Sequence, residues 1–411
     1  MQGGSGQQPG GDGIRPEPCR VPVMTILGSI GGFPGESAML VVSTVFICTT
    51  MATTIQDIRT LLSRVINPDT RKTLAVTDSE LQIAAAGDAF DLTVTLGYPV
   101  FNGEQPLAAA IRAALDAAGV RLGALNFQSR IAAHAVQRGL RPLDGVRNII
   151  AVASGKGGVG KSTTAVNLAL ALHAQGARVG LLDADIYGPS VPIMLGLSGK
   201  PKSADGKRME PMIGHGLQAN SIGFLMDDDG PAIWRGPMVT QALTQLLSLT
   251  KWNDLDYLIV DMPPGTGDIA LTMAQKVPLT GSVIVTTPQD LALADARKGL
   301  IMFQKVDVPV LGIVENMSVH VCSNCGHTEP IFGQDGGRQL AAAYHLPWLG
   351  ALPLQLDIRQ ETDAGRPSVV ASPDGEAARR YQDIARQLAI HVAGQPLDDS
   401  GSRPRVVART S

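Results

Sequence analysis

A glycine-rich stretch containing two lysines carries the residue types that bind phosphate. Ser154-Gly-Lys-Gly-Gly-Val-Gly-Lys-Ser-Thr163 contains the G-x-x-x-x-G-K-[ST] pattern between an apolar run and a helical pattern. In this pattern backbone N–H groups surround the phosphates, the lysine reaches the β- and γ-phosphates and the serine hydroxyl holds Mg²⁺. The predicted nucleotide-binding residues are Ser154, Gly155, Lys156, Gly157, Gly158, Val159, Gly160, Lys161, Ser162 and Thr163. A glycine-rich turn without a ligand is the alternative.

A second lysine, Lys156, stands directly after the first glycine of the pattern. With it the stretch resembles the deviant Walker A motif of the MinD/ParA/Mrp branch of P-loop ATPases, and we call residues 154–163 the P-loop. The resemblance implies that Lys156 reaches a nucleotide held by the other subunit of a homodimer. It also implies that ATP lies between two chains and that Lys156 and Lys161 are catalytic. A solvated lysine is the alternative for Lys156.

Two aspartates follow the next apolar run, in Asp183-Ala-Asp185. A carboxylate at the end of a buried strand can orient the water that attacks the γ-phosphate, or hold the water shell of Mg²⁺. The resemblance places Asp185 in switch I, so we expect Asp185 to be the third catalytic residue and Asp183 to support it. A strand-capping aspartate is the alternative for Asp183.

A third aspartate opens the motif Asp261-Met-Pro-Pro-Gly-Thr-Gly-Asp268. Asp261 follows an apolar run, as expected of a Walker B carboxylate, and with Ser162 it forms the predicted magnesium site. Gly265 and Gly267 allow the backbone to approach the γ-phosphate, which is typical of a switch II loop. The motif resembles that of the Mrp/ApbC group more closely than that of ParA proteins.

Asn316 lies at the end of a further apolar run, in Val-Glu-Asn-Met-Ser. The family resemblance implies that its side chain hydrogen-bonds the adenine edge, which adds Asn316 to the predicted nucleotide-binding residues. Asparagine is also common in turns, and a turn residue is the alternative.

A cysteine pair, Cys322-Ser-Asn-Cys325, follows shortly afterwards. Two thiolates at this spacing can belong to a zinc site completed by His320 and His327, to a redox pair, or to a [4Fe–4S] cluster shared by two chains. Haem attachment is not favoured, because Gly326 separates the second cysteine from His327. Mrp/ApbC-type cluster carriers have a Cys-x-x-Cys at this place and bridge a labile cluster across their dimer. The resemblance therefore implies that Cys322 and Cys325 are iron–sulfur ligands.

The elements that position these residues are short apolar runs separated by helical patterns. This alternation predicts an α/β fold with a doubly wound, mostly parallel sheet, in which ligands bind at the carboxyl ends of the strands. We expect a P-loop NTPase domain over residues 148–395. Its predicted strands are 149–153, 179–183, 257–261, 282–286, 310–314 and 348–352.

A small α/β domain is predicted over residues 51–138, joined by a linker at 139–147. We expect a helical stripe of Ile58, Leu61, Leu62 and Val65 that ends at Asn67-Pro68-Asp69, strands at 81–83 and 92–96, and a second helix over 107–115. By its position and its Asn67-Pro68-Asp69 signature this region resembles the PaaD-like domain often fused ahead of Mrp-type ATPases. Its single histidine, His134, is expected to be a core or surface residue.

Composition separates the two ends of the chain from its centre. Residues 1–50 are expected to be disordered or absent from the native protein, with translation starting at Met51, and residues 396–411 are expected to form a disordered tail. The net charge is −3, and the tail has no apolar face, so neither nucleic acid nor a membrane is an expected partner. Four cysteines in 411 residues favour a reducing compartment, the cytoplasm. Cys19 and Cys48 fall in the leader and are not assigned.

The resemblance implies a homodimeric, weakly ATP-hydrolysing carrier that passes a labile [4Fe–4S] cluster to apo iron–sulfur proteins and works with cluster-assembly proteins. Its cofactors are then ATP and Mg²⁺, with the cluster as cargo. A ParA/MinD-like positioning ATPase that acts on DNA or membrane is the first alternative. A reductase like the nitrogenase iron protein is the second, although that enzyme takes its cluster ligands from separated single cysteines.

Overall fold

The computed structural model describes residues 53–100, 106–186, 188–225, 236–322 and 324–398. The predicted leader, Met51, Cys19 and Cys48 lie outside these residues, as does the tail beyond residue 398. The described residues from Thr53 onward form one compact unit. The boundaries predicted for the small domain, the linker and the tail stay predictions.

A small three-stranded sheet is built from the first part of this unit. Its elements are α1 (Ile55–Leu62), β1 (Leu81–Ala86), β2 (Ala89–Leu96), α2 (Pro106–Ala117) and β3 (Leu122–Ser129). The strand β2 is central, antiparallel to β1 and parallel to β3. Helix α1 begins at a capping box, in which the side chains of Thr54 and Asp57 each accept a hydrogen bond from the other's backbone N–H. The sequence predicted α1, α2, β1 and β2 but not β3.

The first helix is shorter than predicted. It ends at Leu62, where the N–H of Ser63 caps it, and not at Asn67. Val65 lies beyond the helix and is buried because the returning chain pairs with it: Leu74 N–H donates to the Val65 carbonyl at 2.8 Å. Val65 thus has helical spacing but is buried in a turn. Spacing alone does not distinguish an apolar residue of a helix from one of a turn.

The large sheet has eight strands. In chain order they are β4 (Val146–Ala153), β5 (Val179–Asp183), β6 (Met212–Gly214), β7 (Leu217–Ser221), β8 (Leu255–Asp261), β9 (Gly281–Thr286), β10 (Val310–Glu315) and, after the two-stranded hairpin β11 (His320–Val321) and β12 (Thr328–Glu329), β13 (Trp348–Ala351). Their order across the sheet is β13-β10-β9-β4-β8-β5-β7-β6, and all pairs are parallel except the one that β6 makes with β7. The predicted mostly parallel α/β fold is confirmed.

Helices cover both faces of this sheet. They are α3 (Lys161–Ala174), α4 (Val191–Met194), α5 (Gly236–Leu249), α6 (Asp268–Lys276), α7 (Asp290–Lys305), α8 (Gly336–Ala343), α9 (Leu356–Asp363), α10 (Ser368–Ala371) and α11 (Glu376–Ala393). Alternate residues of β4 show the two sides, because Ile150 and Val152 join the core under α3 and α11 while Ile149 and Ala151 join the core under α5 to α8. Among the described helices, none combines the length and the apolar character needed to cross a membrane.

Candidate functional site

The P-loop connects the carboxyl end of β4 to the start of α3. Gly160 is the N-cap of α3 with a left-handed φ of 79°, a conformation in which glycine avoids the Cβ penalty. Gly155 is required for packing, since a Cβ there would lie 2.1 Å from the Asp295 carbonyl carbon of α7. The loop is thus held against α7 and leads directly into the N-terminus of α3, an arrangement typical of phosphate-binding loops.

Lys161 lies at the centre of the site, with its side chain almost fully buried. Its Nζ is 2.5 Å from Asp261 Oδ1, 3.6 Å from Asp185 Oδ2 and 3.2 Å from Ser162 Oγ. The structure therefore brings together four residues predicted from three separate motifs. Buried charges of opposite sign stabilise each other only when they are close, so this lysine and the carboxylates form one electrostatic unit.

Asp183 is a further buried carboxylate next to Asp261. It is fully buried on β5 opposite Asp261 on β8 and accepts hydrogen bonds from the backbone N–H groups of Asp185 and Val191 and from Ser221 Oγ. Burial, followed by the charge of Asp261, raises the pKa of Asp183 to about 7, against the lowering effect of these hydrogen bonds. Asp183 therefore positions the backbone that carries Asp185 and the first residue of α4.

The residues predicted to hold Mg²⁺ fit that ion. Asp261 is fully buried, and its Oδ2 has no hydrogen-bond partner in the described structure. A buried carboxylate oxygen without a partner is costly unless a ligand satisfies it, and hard oxygen donors are what Mg²⁺ prefers. Ser162 Oγ is within hydrogen-bonding distance of the same Lys161 ammonium group that contacts Asp261. When bound, Mg²⁺ would supply charge neutralisation for the phosphates.

The loop after β8 is tied to the P-loop. Gly265, with φ of 87°, donates its N–H to the Ser154 carbonyl at 3.0 Å, and Ser154 Oγ donates to the Lys156 carbonyl at 2.8 Å. The side chain of Lys156 is half-buried. The predicted switch II loop therefore lies against the first residues of the P-loop.

Asn316 also lies beside the P-loop. Its Nδ2 donates to the Val159 carbonyl at 2.8 Å, and its backbone N–H donates to the Thr286 carbonyl at 2.7 Å. The side-chain amide approaches this closely because Gly160 has no Cβ; one there would lie 2.1 Å from Asn316 Nδ2. The structure thus places Asn316 at the nucleotide loop, and its contact with adenine stays a prediction.

The two cysteines lie in the turn of the β11–β12 hairpin. His320 pairs with Glu329 and Val321 with Thr328, and the turn is closed by Cys322 N–H donating to the His327 carbonyl and by Gly326 N–H donating to the Cys322 carbonyl. Both residues are free thiols; Cys322 is half-buried and Cys325 is exposed. A short, closed turn therefore presents two sulfur atoms at the surface.

The local backbone activates the first thiol. Hydrogen bonds from the N–H groups of Cys325 and Asn324, and from the Cys325 thiol, lower the pKa of Cys322. Within the described residues, no three or more His, Cys, Asp or Glu side chains are grouped so as to hold a metal ion. His320 and His327 are thus not gathered with the two thiols into such a group.

The sequence did not indicate the residues that position the predicted site residues. Ser221, which fixes Asp183, lies on β7, a strand whose Leu-Gln-Ala-Asn-Ser sequence has no continuous apolar run. Met317, beside Asn316, has a left-handed φ of 56° that no sequence pattern indicates. The tie between Gly265 and Ser154 was likewise invisible, although the glycine-rich loop that makes it was identified.

Comparison with known proteins places this chain in a family. The family described as ParA: NUBPL iron-transfer P-loop NTPase matches residues 145–389. The iron–sulfur cluster carrier protein of Escherichia coli K12 is 61% identical over 254 residues, which cover 62% of this chain and 68% of the relative. The mouse iron–sulfur cluster transfer protein NUBPL is 51% identical over 266 residues, 64% of this chain and 83% of the relative.

A third relative also matches the small N-terminal sheet. The iron–sulfur cluster carrier protein of Haemophilus influenzae is 48% identical over 340 residues, 82% of this chain and 92% of the relative. A match of that length extends well before residue 145, where the family match begins. The predicted resemblance to P-loop cluster carriers is confirmed, and the chain belongs to the ParA family of NUBPL iron-transfer P-loop NTPases.

Proposed function

We propose that this protein is a homodimeric, MgATP-dependent carrier that holds a labile [4Fe–4S] cluster and passes it to apo iron–sulfur proteins. The cluster is the cargo, and ATP is bound and slowly hydrolysed at the P-loop. Cluster-assembly proteins would supply the cluster. A thiol pair that must stay reduced to bind it suits the cytoplasm.

The nucleotide half of the proposal is supported by the Lys161 cluster. Lys161 is held 2.5 Å from Asp261 and 3.6 Å from Asp185, and this buried cation would be available to neutralise phosphate charge. In the proposed reaction Lys161 moves from these carboxylates to the phosphates, and Asp185 orients the attacking water. Lys156 would complete the site of the second subunit, as the family resemblance implies.

The cysteine hairpin is the observation that carries the proposal. Cys322 and Cys325 supply two thiols in a closed turn, Cys325 exposed and Cys322 with a lowered pKa. A [4Fe–4S] cluster normally has four cysteine ligands, so two copies of this hairpin around a two-fold axis would complete one cluster. Ligands at the surface of two subunits also suit release, which a carrier requires.

The carrier is favoured over a ParA/MinD-like positioning ATPase. The cysteine hairpin has a direct use in a cluster carrier, and the relatives described above are named for cluster transfer. A positioning role on DNA or membrane gives the cysteine pair no ligand to bind.

Anaerobic reconstitution of the full chain with ferrous iron and sulfide tests the proposal. We expect a dimer with about four irons and four sulfides and the visible absorption of a [4Fe–4S] cluster. The double variant Cys322→Ala/Cys325→Ala is expected to lose the cluster and keep MgATP binding. The matched control Cys19→Ala/Cys48→Ala removes as many thiols and is expected to keep it.

A second variant separates the two halves of the site. Lys161→Ala is expected to take up the cluster but to lose MgATP binding, and with it transfer to an apo-ferredoxin. If the double variant of Cys322 and Cys325 reconstitutes as well as the matched control, the proposed cluster site is wrong.

A further inference from the structure

A bulge joins the nucleotide loop to the cysteine hairpin. Strand β10 ends at Glu315, whose carbonyl accepts from Leu352 N–H at 2.8 Å, and the Leu352 carbonyl in turn accepts from Ser318 N–H at 3.0 Å. In a regular parallel pair one residue lies between the two residues that bond to the same partner, whereas here two residues, Asn316 and Met317, lie between Glu315 and Ser318. The strand therefore carries one extra residue at this point. Bulges of this kind redirect side chains and are common next to active sites.

The bulge directs its first residue onto the P-loop. Asn316 Nδ2 donates to the Val159 carbonyl, one residue before the N-cap of the P-loop helix. Asn316 is buried, and its backbone N–H is fixed by the Thr286 carbonyl at the end of β9. Because a Cβ at Gly160 would strike the Asn316 amide, these groups are already in close contact, and a shift of the P-loop backbone must displace Asn316.

The second residue of the bulge is held in a strained conformation. Met317 has a φ of 56°, in the left-handed region that non-glycine residues rarely occupy. Its Cε would lie 3.9 Å from a Cβ on Gly160, so its side chain also ends beside the P-loop. Strained backbone of this kind persists only where its surroundings impose it, and it is found at switch regions.

Beyond the bulge the chain is paired without a break up to the first cysteine. Ser318 Oγ donates to the Leu352 carbonyl at 3.0 Å, Leu354 N–H donates to the Val319 carbonyl at 2.7 Å, and Val321 N–H donates to the Leu354 carbonyl at 3.3 Å. Cys322 follows directly and closes the hairpin through the His327 carbonyl. A displacement at Asn316 is therefore carried along a hydrogen-bonded segment and not absorbed by a flexible loop.

We propose that residues 316–322, which we call the coupling segment, transmit the nucleotide state of the P-loop to the cysteine pair within one subunit. Asn316 and Met317 are its positioning residues. The inference rests on the proposed function and deepens it, because it adds a route inside one chain to the closure of the dimer. Coupling is reciprocal, so a ligand on the cysteines changes nucleotide affinity by the same factor.

The reactivity of the two thiols in the cluster-free full chain provides the test. The alkylation rates of Cys322 and Cys325 with iodoacetamide are measured by peptide mass spectrometry with and without MgATP, while dimerisation and MgATP affinity are followed in parallel. Couplings between two sites are typically about 5-fold or more, and we expect a change of that order in the wild type. In Met317→Gly we expect the ratio of the two rates to fall to near unity while MgATP still binds and dimers still form.

The matched control is His345→Gly, which removes a left-handed non-glycine residue, φ 53°, from the turn after α8. It is expected to keep the wild-type response. The inference is overturned if the wild type shows no response, if Met317→Gly keeps it, if both variants lose it, or if Met317→Gly no longer binds MgATP. None of these results changes whether Cys322 and Cys325 take up a cluster, so failure of the coupling is distinguishable from failure of the carrier function.

Discussion

The ammonium group of Lys161 lies 2.5 Å from Asp261 Oδ1, although the two residues are 100 positions apart in the chain. Only 5% of the Lys161 side chain and none of the Asp261 side chain is exposed. The P-loop lysine is therefore neutralised by a fully buried carboxylate. Under the proposed function, nucleotide binding would exchange this ion pair for contacts with phosphate and Mg²⁺, so that the charges in the site would stay compensated.

Breaking this pair from the lysine side is expected to destabilise the fold. Lys161→Met leaves Asp261 buried beside Asp183 without a cation, and removing one partner of a buried ion pair costs about 3 kcal/mol or more. The double variant Lys161→Met/Asp261→Asn is expected to recover about 1–3 kcal/mol of that loss. Urea unfolding of the nucleotide-free protein measures both.

Lys298→Met is the control for this experiment. It breaks the exposed pair with Asp295 on α7, 67% and 32% exposed, and is expected to change the free energy of unfolding by less than about 0.5 kcal/mol. If Lys161→Met has the same free energy of unfolding as Lys298→Met, the lysine does not offset the cost of burying Asp261.

Alanine at Gly160 is expected to separate backbone strain from steric conflict. Gly160→Ala places a Cβ 2.1 Å from Asn316 Nδ2 at a φ of 79°, whereas Gly176→Ala, at a φ of 93°, meets open space. Strain alone costs about 1–2 kcal/mol, so Gly176→Ala should lose that much stability and Gly160→Ala more. Replacing Asn316 by Ala as well should restore part of the difference. Equal losses in the two single variants would show that the Asn316 contact is not tight.

The segment between α1 and β1 is joined to the last helix by a partly buried ion pair. Asp69 Oδ2 is 2.5 Å from Arg386 on α11, and it also accepts a hydrogen bond from the Tyr98 hydroxyl at 3.1 Å. Arg386→Met is expected to lower the free energy of unfolding by about 2 kcal/mol or more, because it leaves the largely buried Asp69 carboxylate without a cation.

Arg380→Met on the same helix is its control, since its partner Glu376 is exposed, and it should cost less than about 0.5 kcal/mol. Urea unfolding curves of Arg386→Met and Arg380→Met give the two free energies of unfolding. If they coincide, the pair between Asp69 and Arg386 does not stabilise the protein.

The parts of the site that phosphate chemistry dictates could be predicted from the sequence. The P-loop glycines, Lys161 and Ser162 are fixed in type and spacing by the ligand, and the strands that carry them are continuous apolar runs because both of their faces are buried. Strand β7 was missed because it contains Gln218 and Asn220. Asn220 is buried all the same, since its Nδ2 donates to Thr250 Oγ1 at 2.7 Å.

The links between motifs could not be predicted. The bulge at Asn316 and Met317 exists because Leu352, far along the chain, pairs with both Glu315 and Ser318. The early end of α1 likewise depends on pairing between Val65 and Leu74. In each case the conformation depends on a hydrogen bond to a residue outside the local segment. The local sequence pattern does not indicate which residue that partner is.

The protonation state of Cys322 gives the last prediction. Hydrogen bonds from the N–H groups of Cys325 and Asn324 and from the Cys325 thiol stabilise its thiolate and lower its pKa. Alkylation of Cys322 with iodoacetamide should therefore rise with pH at a lower midpoint than for a cysteine in an unstructured peptide. Cys325→Ala removes only the thiol donor and keeps both N–H donors, so the midpoint should move part of the way back.

The variant Cys325→Pro removes the backbone N–H of residue 325 together with the thiol. It is therefore expected to raise the midpoint further than Cys325→Ala does. The rates are measured on cluster-free protein across a pH series, with the peptide that contains Cys322 followed by mass spectrometry. A wild-type midpoint equal to that of the unstructured peptide would mean that the turn does not activate this thiol. The low-pKa ligand expected of a cluster-accepting site would then be missing from the hairpin.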